Sequence, residues 1–565
     1  MLLFNPKSPS WKGFDEDTQS IFNKTIQFFE SKGRSQMKAE DHAATWPQDF
    51  IDFIGESKFL SKFLTPTQYG NDGCRYDIAR NTQMSEILGF YSLSHWYPWQ
   101  VSILGTGPIW MSKNDKVKKR AADALASGGV SAFGLSEKEH GADLISTDMK
   151  LMDNGNGKYT AKGKKFYIGN GNIASILSVF GKVNGGREFV FFTASAKHPK
   201  FKLLQNVVFS QKYVAEFELD DYPIENDDIL CRGRDAWDAA LGTVAFAKFN
   251  LGLASTGIAT HAFYEAVQHA SNRKLYGNVV TDFPHIRQLL SEGYARLCAM
   301  RLFCYRAKDY LLTASATDRR YLLWTPMTKM KVTLQGEEVI NLIWDVIAAR
   351  GFEKDLYFES ATRDIRMLPK LEGTAHVNMV LVIKFMESFL FGNEKVQNVP
   401  SSNNPSQQDF LFNQGSTTKG LETVPFGDWR RAYEGFNEPN VKLFIEQSET
   451  FVQMLKDAGP SPDQSKDLDF MLAVGELFTL IAYGSLILEQ SKIDSIPSEI
   501  IDQIFEFQVK DFGKHALTLS QKNSTTENQV QYCHKLLKKP KIDSVRSEKI
   551  HQMFMKEGNS YQMNN

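Results

Sequence analysis

Apolar residues recur at three- and four-residue spacing over residues 14–32, 47–63 and 77–93, so the first 125 residues read as helical. The texture changes between residues 126 and 235. Short runs rich in Val, Ile, Phe and Tyr, at 159–161, 165–168, 176–180, 189–193 and 213–219, alternate there with Gly, Asn and Asp. Such runs at hairpin-like spacing predict a small antiparallel sheet or β-barrel. Gly155-Asn-Gly-Lys and Gly169-Asn-Gly-Asn read as hairpin turns. Long helical periodicity returns over 236–394. Residues 395–421 are rich in Ser, Asn, Gln, Pro and Gly and read as a linker. Beyond it, 429–456, 467–490, 497–519 and 529–537 read as four further helices, for which a four-helix packing unit is the natural arrangement. No repeat of solenoid period is visible.

Length and composition narrow this picture. At 565 residues about three to four domains are expected. With 42% hydrophobic and 23% charged residues, the chain has material for a large globular core. A net charge of −1 gives no field for nucleic acid or an anionic membrane, and neither is expected as a partner. Lys538-Lys-Pro-Lys541 is too short for a nucleic-acid patch. The five cysteines, Cys74, Cys231, Cys298, Cys304 and Cys533, are sparse, odd in number and without zinc-site spacing. Free thiols, a reducing compartment and no metal site are expected. The first residues lack a basic region followed by an apolar core, so no signal peptide and a cytoplasmic location are expected. Two apolar stretches, 377–391 and 470–488, are interrupted by Lys384 and Glu387 and by Glu476, Thr479, Gly484 and Ser485. Both read as buried core helices, so no transmembrane segment is expected.

Candidate chemistry concentrates in Glu359-Ser-Ala-Thr-Arg-Asp-Ile-Arg-Met-Leu-Pro-Lys-Leu-Glu-Gly-Thr374. Glu359 and Arg363 lie one turn apart and can pair on a helix face. Pro369 cannot continue that helix. Gly373 permits a tight backbone path, and Thr374 can cap the apolar helix that follows. Glu372 is thereby held on a short connection constrained from both sides, a suitable place for a catalytic base.

That segment resembles a signature of the acyl-CoA dehydrogenase family, in which an Arg-Asp pair precedes Glu-Gly-Thr by the interval found here. A second resemblance lies more than two hundred residues upstream. Ser131-Ala-Phe-Gly-Leu-Ser-Glu-Lys-Glu-His-Gly-Ala-Asp143 is similar to the family's flavin-binding loop, Ala-Phe-Ala-Leu-Thr-Glu-Pro-x-Ala-Gly-Ser-Asp. Pro66-Thr-Gln-Tyr-Gly-Asn-Asp-Gly73 resembles its Pro-x-x-Tyr-Gly-Gly-x-Gly loop. The likeness covers roughly the first 390 residues. It implies an α+β multidomain fold: an N-terminal helical domain (1–125), a central antiparallel β-barrel (126–235), a helical bundle carrying the catalytic Glu (236–394), a linker (395–421) and an extra C-terminal helical domain (422–565).

The resemblance also implies a site. Glu372 removes the α-proton of an acyl thioester such as acyl-CoA, and its N–H, with Gly373 and Ala142 nearby, contacts substrate. FAD is the implied cofactor, with contacts carried over to Phe133, Leu135, Ser136, Gly141, Ala142, Tyr167, Gly169, Arg273, Tyr276, Gly351, Thr374 and His376. Tyr167 stands for a Trp in Gly163-Lys-Lys-Phe-Tyr-Ile-Gly-Asn170, and Arg273-Lys-Leu-Tyr-Gly277 resembles an Arg-x-x-Phe-Gly element whose Arg pairs with a flavin phosphate. Some branches take the base from another helix, but the matching position here is Asn250, which cannot serve. Other positions depart from the family. Gly169 replaces a Thr, Ala142 a Ser and Pro284 a Gln. A glycine-rich element becomes Asp345-Val-Ile-Ala-Ala-Arg-Gly351, where Asp345 would repel phosphate unless paired with Arg350.

The function so implied is FAD-dependent dehydrogenation of acyl-CoA to trans-2-enoyl-CoA, as in fatty acid β-oxidation. A homodimer is expected, with an electron-transferring flavoprotein as acceptor. An acyl-CoA oxidase, an acyl-carrier-protein dehydrogenase, and a binding or assembly protein on the same scaffold are the alternatives.

Overall fold

Capping residues set the first helices. Asp15 accepts the Thr18 N–H at 2.9 Å and starts the helix Glu16–His42. Asp77 accepts the Ala79 N–H at 2.9 Å and starts Ile78–Tyr91. The helix expected over 47–63 is broken: Lys58, at φ 57°, separates Gln48–Glu56 from Phe59–Leu64. A further helix, Leu93–Met111, is buried almost throughout and contains Pro98 and Pro108. The computed structural model describes residues 2–210 and 213–565. It divides into two units, one of Trp11–Asn250, Asn403–Lys419 and Asn564–Asn565, the other of Met1–Ser10, Leu251–Ser402 and Gly420–Met563.

In the first unit the N-terminal helices accompany an eight-stranded sheet. Its strands are β1 Ser131–Gly134, β2 Lys150–Asp153, β3 Lys158–Gly169, β4 Ile176–Val183, β5 Phe189–Ala194, β6 Phe201–Asn206, β7 Val214–Glu225 and β8 Ile229–Arg232. The order is β6-β7-β3-β2-β4-β5-β8, with β1 also paired to β4. The antiparallel barrel expected from the sequence is corrected to a mixed, open sheet. Both β1 and β2 run parallel to β4, and among the described residues β6 and β8 remain unpaired edges. Parallel neighbours need crossovers, which short-range strand spacing does not reveal. The Gly155 turn does join the antiparallel pair β2 and β3. The Gly169 turn is no hairpin, because β4 pairs with β1, β2 and β5 and not with β3. There Asn170, at φ 57°, turns its buried amide to donate to the carbonyls of Pro98 and Ser131, each at 2.9 Å. Leu151, Ala161, Val179, Phe192, Phe217 and Leu219 form the core of the sheet.

The Gln- and Asn-rich segment expected as a linker is packed along part of its length. Gln407 and Gln408 accept the N–H groups of Tyr76 and Ile78 at 2.8 and 2.6 Å, and Leu411 is fully buried.

The second unit is helical. Asn250–Asn272, Pro284–Leu312 and a long run from Tyr321 to Ile347 lead to Tyr357–Asp364 and Ala375–Ile383. The C-terminal helices are Pro439–Ala458, Leu468–Asp494, Ser498–Ser520 and Glu527–Lys535, with a fifth, Ser544–Gly558, that periodicity did not announce. Residues 429–432 form a separate turn ahead of the first of these. The helix Leu468–Asp494 is long and apolar enough to cross a membrane, yet Leu477, Phe478, Ile481 and Leu488 are buried within the unit. It packs against Ala375–Ile383 closely enough that a Cβ on Gly475 would meet Met379 Sδ at 2.6 Å. All five cysteines are free.

A buried ion network ties the C-terminal helices to the bundle. Arg296 of Pro284–Leu312 donates to both carboxylate oxygens of Asp511 at 2.9 Å and to Glu338 at 3.0 Å. Its guanidinium also lies 4.3 Å from the Phe507 ring centroid.

Candidate active site

In the helical unit the segment around Glu372 folds largely as its residue types dictate. Arg363 donates to both oxygens of Glu359, at 2.8 and 3.1 Å, along the helix Tyr357–Asp364. That helix stops before Pro369, and a series of turns leads to Glu372. Glu372 (φ 51°) and Gly373 (φ 85°) then adopt two consecutive left-handed conformations. Only the glycine takes this without strain. Thr374 caps the next helix by accepting the Val377 N–H at 3.4 Å.

Two buried side chains hold this turn. Lys329 donates to the Pro369 carbonyl at 2.6 Å and also to the Gly373 carbonyl. Asn378 donates to the carbonyls of Gly373 at 3.1 Å and Thr374 at 3.0 Å. Neither Lys329 nor Asn378 has exposed surface. Glu372 itself is half-buried, with Oε2 shielded from solvent. Thr374 and His376 are exposed at the start of the helix. Sequence reasoning missed Lys329 and Asn378. The available signal was a lysine inside the apolar run Leu322-Leu-Trp-Thr-Pro-Met-Thr-Lys329.

The same unit carries a basic cluster. Arg350 contacts His269 Nδ1 at 3.0 Å and Glu353 at 3.4 Å, so its partner is not Asp345 as the sequence suggested. Burial, then the charges of Arg350 and Arg273, pull the His269 imidazole below its ordinary pKa. His269 Nε2 is buried without a hydrogen-bond partner. Arg273 and Tyr276 sit on an exposed two-stranded hairpin, with Tyr276 95% exposed at φ 51°. Gly351 is buried, and a Cβ there would meet Trp344 Nε1 at 2.9 Å and Phe358 Cδ1 at 3.1 Å.

In the sheet-bearing unit the loop that follows β1 is fastened to β3. The Phe166 N–H donates to the Ser136 carbonyl at 3.0 Å, and the Ser136 hydroxyl returns a bond to the Phe166 carbonyl at 2.8 Å. Lys165, wholly buried, donates to the Leu135 carbonyl at 2.9 Å and to Glu137 at 2.7 Å. Glu137 also accepts the N–H groups of Asp148 and Met149 at 2.7 and 3.2 Å. Burial pulls the Lys165 ammonium down to about 8 while Glu137 holds it charged. His140 and Asp148 stand close enough to Glu137 to suggest a metal triad, but the bonds just described commit Glu137 to the protein.

Gly141 and Ala142 are exposed, and a Cβ on Gly141 would touch nothing within 4 Å. Tyr167 is 49% exposed at φ 64°. Phe133 is buried and stacked on Phe191 at 5.9 Å, so its ring serves the core. Gly169 is forced by packing: a Cβ there would lie 2.6 Å from Tyr97 Cε1 and 2.5 Å from Val101 Cγ2.

Each unit taken by itself has features that fit part of a dinucleotide flavin in chemical character. In the sheet-bearing unit the loop is open at Gly141 and an aromatic face is exposed at Tyr167; in the helical unit a basic cluster contains an imidazole nitrogen still lacking a partner.

Residues 235–386 match the family model described as acyl-CoA dehydrogenase, C-terminal domain. The chain is 24% identical over 356 residues to an acyl-CoA dehydrogenase of Bacillus subtilis (strain 168), covering 60% of this chain and 90% of that protein. It is 22% identical over 387 residues to a 3-(aryl)acrylate reductase of Clostridium sporogenes (strain ATCC 15579), covering 65% and 98%. The crystal structure of an acyl-CoA dehydrogenase complexed with FAD from Bacillus anthracis superposes with a TM-score of 0.77 at 15% identity, over 99% of this chain and 97% of that one. That likeness extends through the C-terminal helices and shows a shared fold.

Proposed function

We propose that this chain, similar to acyl-CoA dehydrogenases in residues 235–386 and in fold, works as a member of that family and oxidises an acyl-CoA to the trans-2-enoyl-CoA with Glu372 as the base. One observation carries the assignment: the carboxylate sits on a double left-handed turn held by buried donors. Strained backbone of this kind persists only where its surroundings enforce it, and it gathers at functional sites.

The α-hydrogen of a thioester is too weak an acid for a carboxylate in water, so the forming enolate must be stabilised. In this reading the Glu372 N–H donates to the thioester oxygen as negative charge develops on it. The α-proton passes to a Glu372 carboxylate oxygen, and the β-hydrogen leaves with its electron pair. Bound FAD supplies the two-electron acceptor for that hydrogen. In the sheet-bearing unit Leu135, Ser136 and Tyr167 would suit a flavin ring, and in the helical unit Arg273 and Arg350 would offer guanidinium groups to a flavin phosphate through directional charged bonds. An electron-transferring flavoprotein or oxygen would then reoxidise the flavin, and peroxide release during turnover separates the two.

The test is Glu372→Gln. The purified variant should keep the visible flavin spectrum of the parent protein. Bleaching by acyl-CoA should slow by at least about 10²–10⁴-fold, the usual share of a general base. Bleaching at the parent rate would overturn the assignment.

A further inference from the structure

Lys329 is a cation without exposed surface inside an apolar helix. Burying an ammonium costs several kcal/mol unless it is paired and hydrogen-bonded. Its location is informative. The run from Tyr321 to Ile347 changes to π-helical geometry over Thr328–Val332, and Lys329 lies in that widened turn. Single π-turns inside α-helices recur at functional sites. The helix Asn250–Asn272 approaches closely here, since a Cβ on Gly252 would meet the Thr328 carbonyl at 2.9 Å.

Lys329 donates to the carbonyls of Pro369 and Gly373, one on each side of Glu372. Asn378 donates to the second of these as well, so two buried donors converge on the Gly373 oxygen. Lys331, two residues along the same turn, lies instead 3.9 Å from Asp511 of the helix Ser498–Ser520. The turn thus has one lysine on the Glu372 segment and one on the C-terminal helices.

We propose that Lys329 is the positioning residue of the base: its ammonium spans the Pro369 and Gly373 carbonyls and fixes the left-handed turn that aims Glu372. The inference rests on Glu372 being the base. Lys329 takes no proton in the reaction and touches no substrate. It acts through the backbone, and a base displaced by about 1 Å can lose a factor of about 10² in rate.

The experiment compares Lys329→Met, Lys329→Arg and Asn378→Ala in the full-length flavin-loaded protein, with Glu372→Gln alongside. Rapid-reaction bleaching by a saturating series of acyl-CoA gives the limiting rate and the half-saturation concentration separately. Lys329→Met should lower the limiting rate by about 10²-fold. Half-saturation and flavin content should stay within about twofold of the parent, because a mispositioned base does not alter uniform binding. Lys329→Arg, which keeps the charge and donors, should recover at least part of the rate. If Lys329→Met does not fold, Asn378→Ala, which removes one of the donors to Gly373 O without changing charge, gives the same readout with an expected loss of about tenfold. A parental limiting rate in the folded lysine variant, or in Asn378→Ala where that variant stands in for it, overturns the inference. So does a loss seen equally in half-saturation and flavin content. If Glu372→Gln also bleaches at the parental rate, the reading of the base has failed. If Glu372→Gln is inactive while the lysine and asparagine variants are not, only the positioning role has failed.

Discussion

Ala348 follows the helix Thr333–Ile347 at φ 55° and ψ −140°, and its N–H still donates to the Trp344 carbonyl. That pair of angles lies outside the left-handed helical region and is essentially open only to glycine. Holding an alanine there costs about 1–3 kcal/mol. Ala348 is exposed, so its methyl group contributes little burial that a smaller residue would forfeit. Ala348→Gly therefore releases the strain and loses mainly the extra freedom of glycine in the unfolded chain, about 0.4–1 kcal/mol. The net expectation is a gain of about 0.5–2 kcal/mol. Urea unfolding should move to a higher midpoint with an unchanged slope. Thermal unfolding of the helical unit should rise by about 1–4 °C. The neighbouring Ala349→Gly is the control. Ala349 is also exposed but has no positive φ. The same atoms removed there should lower stability by about 0.5–1 kcal/mol. If Ala348→Gly loses stability as Ala349→Gly does, the backbone stores no strain at this position and the reasoning is wrong.

Further expectations concern the buried ion pairs. For Asp511, burial alone would push the carboxyl up, but Arg296, followed by Lys331, holds it down to about 2. Its folded value lies below its unfolded one of about 3.9, so its stabilisation is present above pH 4 and lost as pH falls from about 4 through 2. Asp511→Asn should lower neutral-pH stability by about 3 kcal/mol, since it breaks a buried pair, and should flatten the acid limb of the stability–pH curve. An unchanged acid limb would show that other carboxylates govern it. Lys165→Met strands Glu137 beneath the loop and should cost about 3–5 kcal/mol. Flavin content, read from the visible spectrum of the purified protein, should fall with it; full flavin retention would separate this anchor from cofactor binding.

Local signals carried much of the fold. Periodicity located most of the helices, and Asp15 and Asp77 mark starts that the structure uses. The helix Leu93–Met111 left no stripe because nearly every face is buried, and it contains Pro98 and Pro108, residues that ordinarily interrupt a helix. Strand β1 has four residues, all buried, and so shows no alternation. The sheet is open because, among the described residues, β6 and β8 are left as edges, and mixed because β1 and β2 run parallel to β4. Those partners come together by long-range packing, and a run of β-branched residues does not encode its neighbour's direction. The Ser- and Gln-rich segment reads as a linker by composition. Yet Gln407 and Gln408 use the amides that suggest disorder to accept buried N–H groups. Composition reports what side chains prefer in water and not which backbone donor lacks a partner.

The candidate site divides along the same line. What lies near Glu372 in the sequence was legible: the Glu359–Arg363 pair, the chain stop before Pro369, the glycine with positive φ and the Thr374 cap. What holds the turn was not. Lys329 is more than forty residues upstream, and in sequence it is one cation in an apolar helix. That placement was itself a clue, because an unpaired ammonium in a core is too costly to persist. Gly169 makes the complementary point. Beside the family pattern it looks like the loss of a functional hydroxyl, whereas the structure gives it a reason in packing, with Tyr97 and Val101 occupying the space of any side chain. A substituent at this position must displace a buried tyrosine ring or shift the end of β3. Any chemistry the missing hydroxyl would have provided must therefore come from another residue, and reverting this one position alone would disturb the strand before it restored a contact.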